Sequence, residues 1–471
     1  MKKFFLIFLI FLIPLSVVAC TPKEAENGVE YRLNWVIADD LEEATLTETV
    51  RLVSDGTAVV FNTWANSYRE KAKYPAYFSA LPKYGGIDID EVTVNGETAE
   101  GTFNDTMEQY KVYNESEAGE PLEITLKCKI TVPHGNYRMG LQDGVLKLLN
   151  AYPVLAVKED GAARSDHYCK VGDPFYVEAA NYRIQVDAPE DLTVALSADQ
   201  RKEKTENGRK IIDATINGIR DFALMGSREW QEVTAVAGET LVHYYAKEGK
   251  TDRLEVAVSA LEKFSDFLGN YPWHQYSVAE APFYYGGMEY GGFSLIADDA
   301  TEWEDVVVHE TAHQWFYGIV GSDQINHAWM DEGLATFMTN YYLHLKGDSD
   351  GYEARRQRDQ KLYRNFINLN VLNHPDYDAK LDRPIGHYAT NYEDTMLVYY
   401  KGGMMFDAVS HLLGAKKMEQ GLRAYCKANA YGVATPSSLY EAFKKATGQD
   451  IRGIVEPWLN DRVLMESFSY D

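Results

Sequence analysis

The first half of the chain alternates apolar and polar residues with a period of two, which is the pattern of β-strands that bury one face. Asn-Gly or Asp-Gly pairs at positions 55–56, 95–96 and 217–218 supply turns between such strands. The alternating apolar positions include Val29, Tyr31, Leu33, Trp35, Ile37, Leu122, Ile124, Leu126, Cys128, Ile130, Val132, Tyr182, Ile184 and Val186. The pattern predicts an antiparallel β domain over residues 29–230.

The second half changes to the 3.6-residue period of amphipathic helices. Apolar residues recur at this spacing from Leu254 to Leu268, and Gly269 follows as a C-terminal stop. Helical patterns then continue through most of the remaining chain. Together the two halves predict an α+β, multidomain fold class, in which a mainly helical domain over residues 231–471 follows the β domain.

The N-terminus has the composition of an export signal. Lys2 and Lys3 precede an apolar run over residues 4–19, which is shorter than the about 20 residues that a membrane span needs. Val17-Val18-Ala19-Cys20 resembles the lipobox of bacterial lipoproteins, in which the cysteine is acylated. We expect residues 1–19 to be a signal peptide and residues 20–28 a lipid-anchored tether. A plain signal peptide with a chance cysteine, or an uncleaved anchor, is the alternative.

This signal predicts an exported protein that is anchored to the outer face of the bacterial cell membrane through the lipid on Cys20. The net charge of −25 disfavours nucleic acid as a partner. The chain of 471 residues exceeds what one hydrophobic core usually holds, so its length agrees with two or more domains. Its four cysteines show neither a metal-binding pattern nor a disulfide framework, although one disulfide is possible.

The candidate chemistry lies in His309-Glu310-Thr311-Ala312-His313. A capping box at Thr301 to Glu304 and apolar residues up to Val320 predict a helix here that stops at Gly321. Histidines four positions apart leave one face of a helix, where both imidazoles can bind one metal ion. Glu310 points about 100° around the helix, so it is the candidate general base rather than a ligand.

Glu332 is the candidate third ligand of this metal site. It follows His313 by nineteen positions, which lets the chain turn and bring a second helix beside the first. A catalytic zinc site takes three protein ligands and leaves one position for water. The alternative is that two histidines and a glutamate occur on a core helix by chance.

Three segments resemble the aminopeptidase N family of zinc metallopeptidases, a gluzincin group related to leukotriene hydrolase. The first is the His-Glu-x-x-His motif with eighteen residues before Glu332. The second, Gly286-Gly287-Met288-Glu289-Tyr290, resembles the family's Gly-x-Met-Glu-Asn strand, whose glutamate holds the free amino group of the substrate. The third, Val398-Tyr399-Tyr400-Lys401-Gly402, resembles the family's Tyr-Glu-Lys-Gly segment, whose first tyrosine stabilises the oxyanion. The likeness is strong from 271 to 403.

The resemblance implies a thermolysin-like catalytic domain that removes N-terminal residues from peptides with a free N-terminus, and from the export signal we expect this activity outside the cytoplasm. It implies one Zn²⁺ per chain, held by His309, His313 and Glu332, with Glu310 and Tyr399 as catalytic residues. The implied substrate-binding residues are Gly286, Gly287, Met288 and Glu289.

One departure from the family pattern keeps an alternative open. Tyr290 stands where the family has asparagine, so a zinc endopeptidase with an open cleft is an alternative activity. A non-catalytic surface lipoprotein that binds peptides is an alternative from another class.

The family also has a polar amine-binding residue in its β domain, and Asn150 is the candidate for it here, with a structural role in its loop as the alternative.

Overall fold

The computed structural model describes residues 24–25, 27–461 and 463. The predicted signal peptide and its lipidation site Cys20 therefore lie outside the described residues. Within the described ranges, no helix combines the length and the hydropathy that a bilayer crossing requires.

Residues 27–227 fold mainly as β-strands, with a short 3₁₀ helix at Trp64–Tyr68. The strands are β1 (Glu30–Ile37), β2 (Glu43–Val53), β3 (Val59–Asn62), β4 (Gly86–Val94), β5 (Glu97–Thr98), β6 (Gly101–Phe103), β7 (Gln109–Val112), β8 (Pro121–Thr131), β9 (Met139–Gln142), β10 (Val145–Leu148), β11 (Val154–Leu155), β12 (Lys158–Glu159), β13 (Ala162–Ala163), β14 (Ala180–Pro189), β15 (Thr193–Leu196), β16 (Gln200–Glu206), β17 (Arg209–Ile219) and β18 (Leu224–Ser227). The predicted alternation is confirmed, since every second residue of β1 and β8 is buried.

These strands form a large sheet in the order β16-β17-β14-β1-β2-β8-β4-β5 and two four-stranded sheets, β15-β18-β10-β9 and β11-β3-β7-β6. The large sheet is not wholly antiparallel as predicted, because β1 pairs with β14 in parallel, with Leu33 opposite Ile184. More than 140 residues separate these two strands, so no hairpin dictates their relative direction.

The second part begins with a five-stranded sheet in the order β19-β20-β21-β23-β22. Its strands are β19 (Gln231–Ala237), β20 (Thr240–Ala246), β21 (Gln275–Ala281), β22 (Gly287–Tyr290) and β23 (Phe293–Ala297). Strand β22 is the edge strand and runs antiparallel to β23. It also contacts α2, a helix that follows it in the chain. The predicted division between residues 230 and 231 falls just before β19 and stays a prediction.

Helices make up most of the remaining chain, as predicted. They are α1 (Thr251–Leu268), α2 (Trp303–Ala312), α3 (Gln324–His327), α4 (Glu332–Leu345), α5 (Ser349–Asn373), α6 (Asn391–Asp394), α7 (Gly402–Leu413), α8 (Ala415–Asn429), α9 (Pro436–Thr447) and α10 (Arg452–Asn460). Short 3₁₀ helices lie at Ala328–Met330 and Ile385–His387, and Thr395–Lys401 is π-helical. Gly321–Ser322 (β24) pairs in parallel with Val433–Ala434 (β25).

The predicted bounds of α2 are wrong at both ends. The predicted capping box does not form, because the helix begins after Glu302 without a side-chain cap. The helix also ends at Ala312 instead of continuing to Gly321. The reason is tertiary: Arg220 donates a hydrogen bond to the carbonyl of Tyr317, and Gly321 is part of the β24–β25 pair. Among the described residues the possible disulfide does not form either, since Cys128, Cys169 and Cys426 are free thiols, and Cys128 is buried as expected.

Candidate active site

Helices α2 and α4 bring together three side chains that were predicted to bind metal. His309 lies in the last turn of α2, and His313 directly follows that helix and donates its backbone N–H to the carbonyl of His309. The Nε2 atoms of the two histidines are 3.1 Å apart, and they lie 3.1 Å and 3.3 Å from Oε2 of Glu332. Two imidazole nitrogens and one carboxylate oxygen thus converge on one point, which is the donor set of a catalytic zinc site.

Both histidines are held in the orientation that this convergence needs. Nδ1 of His313 lies 2.9 Å from the carbonyl oxygen of Phe316, and Nδ1 of His309 lies 3.3 Å from the hydroxyl of Thr339. A proton on each Nδ1 leaves each Nε2 with its lone pair free for a metal ion. Such outer contacts commonly orient metal-binding histidines.

Glu332 is the first residue of α4, where the helix dipole favours negative charge. Its backbone N–H donates a hydrogen bond of 2.8 Å to Oδ1 of Asp331. Burial acts to raise the pKa of Glu332, but the neighbouring His313 and His309 hold that pKa below its usual value. The carboxylate therefore stays ionised, as a ligand must.

Glu310 lies beside this cluster and is buried, with 4% of its surface exposed. Its Oε2 atom has no hydrogen-bond partner within the part of the chain that the structure describes. Burial raises the pKa of Glu310 to about 8, with Glu332 and Asp173 adding to the rise and His313 opposing it. A Cβ atom at Gly287 would collide with this carboxylate, so the glycine makes room for Glu310 in the cleft.

The edge strand β22 presents Glu289 to the same cleft. Glu289 is 2% exposed, and its Oε1 accepts a hydrogen bond of 2.9 Å from the side-chain amide of Gln324. Gly286 and Gly287 also line the cleft. Met288 requires a correction, because its side chain is buried behind the strand, where its sulfur accepts a hydrogen bond from Nε of Arg138. Adjacent residues of a strand face opposite sides, so Met288 and Glu289 cannot both point into the cleft.

Tyr399 lies on the π-helical segment, a type of helix that is frequent at functional sites. Its ring stacks on the imidazole of His309, with 5.8 Å between the ring centroids. Burial, followed by the charge of Glu332, raises the pKa of Tyr399 well above its usual value. The phenol therefore keeps its proton and remains a hydrogen-bond donor.

A cavity of about 460 Å³ is lined by His309, Glu310, Glu332, Glu289 and Tyr399, among others. Carboxylates outnumber the arginines in its wall, which favours a positively charged ligand. The charged lining residues are Asp173, Glu289, Glu302, Asp305, Glu310, Glu332, Asp359, Arg355 and Arg358.

The sequence analysis missed Asp173, which reaches this cavity from the loop between β13 and β14. One oxygen of its carboxylate lies within 4.8 Å of a carboxylate oxygen of both Glu289 and Glu332. Asn150, the residue expected to supply a polar group from the β domain, instead lies buried next to Asp221 and does not line the cavity. The sequence signal for Asp173 was its place in Gly172-Asp173-Pro174, a segment that resembles the family's β domain and carries no information on distant contacts.

Residues 253–458 match the sequence model of the Peptidase family M1 domain. Aminopeptidase N of Lactobacillus delbrueckii subsp. lactis is 26% identical over 410 residues, which cover 79% of this chain and 46% of that protein. A probable aminopeptidase 2 of Sulfurisphaera tokodaii is 23% identical over 307 residues, covering 59% of this chain and 38% of that protein. In these alignments the chain spans less than half of the length of its curated relatives.

Solved structures resemble the fold over nearly the whole chain. An M1 zinc metallopeptidase from Deinococcus radiodurans superposes with a TM-score of 0.65 at 18% identity, covering 95% of this chain and 97% of that one. A mutant of a two-domain M1 zinc metallopeptidase bound to L-arginine has a TM-score of 0.69 at 18% identity, covering 95% and 98%. This likeness confirms the predicted α+β architecture of a β-rich part followed by a mainly helical part.

Proposed function

We propose that the chain is a zinc-dependent aminopeptidase, a hydrolase that removes N-terminal residues from peptides, since residues 253–458 match the Peptidase family M1 domain. The predicted relationship to aminopeptidase N is confirmed by the family match and the curated relatives. The observation that carries the proposal is that a metal-binding triad, a buried unpaired glutamate and the acidic residue of the edge strand meet in one cavity.

One zinc ion per chain fits the donor set of His309, His313 and Glu332. The fit rests on the chemistry of the donors and on their arrangement within 3.3 Å of one another, with both histidines oriented through Nδ1. When bound, zinc supplies Lewis-acid chemistry, which makes water more acidic and polarises a carbonyl group.

Glu310 moves the proton in this mechanism. Its free Oε2 accepts a proton from the attacking water and then delivers it to the leaving amine. Burial raises the pKa of Glu310, which makes its ionised carboxylate a stronger proton acceptor than that of an exposed glutamate. Gly287 keeps the space next to the carboxylate open.

Tyr399 stabilises the negative charge that develops on the carbonyl oxygen of the scissile bond. A neutral phenol beside the reacting carbonyl can donate a hydrogen bond to this oxygen. The stacking of Tyr399 on His309 places the phenol beside the metal ligands, where that charge forms.

Glu289 binds the α-ammonium group of the substrate. Its carboxylate is buried within 4.8 Å of the carboxylate of the proposed zinc ligand Glu332, so an ammonium group bound there would place the first peptide bond of the substrate next to the three residues that would hold the zinc. The peptide backbone can approach the edge strand at Gly286 and Gly287, which have no side chains. This arrangement favours the removal of the N-terminal residue of a peptide.

A panel of aminoacyl nitroanilides, each assayed with and without a chelator, tests this proposal. A second substrate, an internally quenched peptide with a blocked N-terminus, separates the two peptidase alternatives. Hydrolysis of the nitroanilides alone supports the aminopeptidase. Efficient cleavage of the blocked peptide supports an endopeptidase, and the absence of turnover on every substrate supports a peptide-binding lipoprotein.

We further propose that the protein is exported and anchored to the outer face of the cell membrane through acylated Cys20. This proposal rests on the sequence of residues 1–20 alone. Labelling of producing cells with a radioactive fatty acid tests it. We expect label on the native protein and on a Cys169→Ser variant, and none on Cys20→Ser; label on Cys20→Ser would contradict the anchor.

A further inference from the structure

Two exposed aromatic side chains stack on each other where the catalytic cavity opens to solvent. Phe78 is 39% exposed and Tyr284, which lines the cavity, is 46% exposed; their ring centroids are 4.8 Å apart. The ring of Tyr137 also stacks on Tyr284, at 5.6 Å. We call Phe78, Tyr137 and Tyr284 the rim cluster. Every other phenylalanine that the structure describes is less exposed than Phe78. Apolar surface that is left open to water next to a cleft is typical of a binding site.

The rim cluster is held in place from both parts of the chain. The backbone N–H of Phe78, in the segment before β4, donates a hydrogen bond of 3.1 Å to the hydroxyl of Tyr137. The ammonium group of Lys170 lies 4.8 Å from the centroid of the Phe78 ring. The backbone N–H of Tyr284, between β21 and β22, donates a hydrogen bond of 2.7 Å to the carbonyl of Asn136. Rings that are already fixed lose little conformational freedom when a ligand binds, which favours binding.

The segment from Tyr284 to Glu289 runs from the exposed rim of the cavity to its buried floor. Glu289 is 2% exposed, whereas Tyr284 is 46% exposed, and Gly286 and Gly287 line the cavity between them. Because Glu289 is the proposed site of the α-ammonium group, the N-terminus of a substrate lies at the floor. The rest of an extended peptide then leaves past the two glycines towards the rim cluster.

The length of this segment indicates which substrate residue reaches the rim cluster. Tyr284 precedes Glu289 by five positions. A peptide that pairs with an edge strand rises by about 3.4 Å per residue, as the strand itself does. The rim cluster therefore lies beside about the fourth to sixth residue of a bound peptide. A dipeptide or an aminoacyl nitroanilide is too short to reach it.

We propose that the rim cluster is a binding site for an aromatic or large apolar side chain at about the fourth to sixth residue of a peptide substrate. This inference rests on the proposed aminopeptidase function. An aromatic substrate side chain can stack on the exposed rings and remove them from water. The consequence is that the enzyme selects peptides by a residue several positions beyond the bond that it cleaves.

Initial rates of leucine release from a set of peptide amides test this inference. Each peptide begins with leucine and continues with alanines, and one phenylalanine replaces the alanine at position four, five or six. We expect the native enzyme to favour at least one of these peptides over the all-alanine peptide by about 3- to 10-fold in kcat/KM, the range for an added aromatic contact. Equal rates on all peptides would overturn the inference.

Phe78→Ala removes the exposed ring of the β-rich part. We expect this variant to lose the preference for phenylalanine through a higher KM on the preferred peptide, with kcat unchanged, because the contact is the same in the ground state and the transition state. Hydrolysis of leucine nitroanilide should not change. A purely structural defect would slow the nitroanilide as well, and a preference that survives Phe78→Ala would contradict the role of the cluster.

Two further variants serve as controls. Tyr113→Ala removes another aromatic residue of the β-rich part, which is 47% exposed and does not line the cavity, and it should keep the preference. Phe78→Tyr retains a ring at the rim and should keep it too. If Phe78→Ala does not fold, Phe78→Tyr still tests the inference, because loss of the preference in this folded variant would contradict it.

A second copy of the chain is the other occupant that such a cluster fits. Sedimentation velocity of the native protein and of Phe78→Ala distinguishes the two cases. A native dimer that Phe78→Ala dissociates, with the peptide preference unchanged, would show a subunit interface and overturn the inference. The same oligomeric state in both proteins, with the preference lost only in Phe78→Ala, supports the substrate site.

The peptide set also separates this inference from the proposed function. A native protein that contains zinc but hydrolyses neither leucine nitroanilide nor any of the peptides contradicts the proposed function. A native protein that hydrolyses them all, without a preference for phenylalanine at any position, contradicts only the role of the rim cluster.

Discussion

The hydroxyl of Tyr399 donates a hydrogen bond of 2.9 Å to Oε1 of Glu332, the residue whose other carboxylate oxygen faces the two histidines. The contact depends on a close approach of α4 to the segment that leads into α7. Gly333 and Gly402 allow this approach, since a Cβ atom on Gly402 would lie 3.0 Å from Cα of Gly333. The proposed oxyanion donor and the proposed metal ligand are therefore positioned by the same packing contact.

Tyr399→Phe removes the proposed oxyanion donor and leaves the ring stacked on His309. We expect kcat to fall by about 10²- to 10³-fold, the usual effect of losing one such donor, with little change in KM. Steady-state kinetics on an aminoacyl nitroanilide measure both constants. Tyr392→Phe is the matched control, because Tyr392 is 60% exposed and does not line the cavity. An active Tyr399→Phe enzyme would exclude the assigned role.

Glu310→Gln removes the proposed proton acceptor but none of the three metal ligands. We expect turnover to fall by about 10²- to 10⁴-fold, the range for a general acid–base catalyst. The zinc content should stay equal to that of the native protein, as measured by elemental analysis. Loss of both zinc and turnover would indicate that Glu310 acts as a ligand.

Gly287→Ala places a methyl group where it collides with the Glu310 carboxylate. The general base must then move, and we expect kcat/KM to fall by about 10²-fold, as for a small misplacement of a reacting group. Gly453→Ala is the control, since an added Cβ there meets no neighbouring atom. Equal activity of the two variants would show that Glu310 tolerates the displacement.

Lys147 is buried and donates a hydrogen bond of 2.9 Å to the carbonyl of Pro282. Burial lowers its pKa to about 7, opposed by the charges of Asp298 and Asp143. Between pH 7 and the ordinary lysine pKa of about 10.4, the unfolded chain binds this proton and the folded chain does not. Lys147 therefore lowers the free energy of unfolding most below pH 7. This loss of stability decreases as the pH rises across the window.

Urea unfolding of the native protein and of Lys147→Met at pH 7, 8 and 9 measures this contribution. The free energy of unfolding of the native protein should increase, relative to that of the variant, by up to about 1.4 kcal/mol per pH unit. A difference that does not change with pH would contradict the lowered pKa.

The residues that a local pattern connects were the ones that the sequence could predict. His309 and His313 are neighbours through the helical repeat, Glu332 was found through its spacing from His313, and Tyr399 was found through a segment that resembles a known family. Asp173 and Arg138 were not predicted, because they lie near Glu289 and Met288 in space but more than 100 residues away in the sequence. The parallel pairing of β1 with β14 and the early end of α2 were not predicted for the same reason, since they depend on distant strands and on Arg220 and not on neighbouring residues.

The zinc content of the pure protein, measured together with turnover before and after a chelator, tests the central claim most directly. We expect one zinc ion per chain, loss of turnover when a chelator removes it and recovery when zinc is added back. We also expect that His313→Ala neither retains zinc nor turns over substrate. A protein that hydrolyses aminoacyl substrates at full rate without a stoichiometric divalent metal would contradict it.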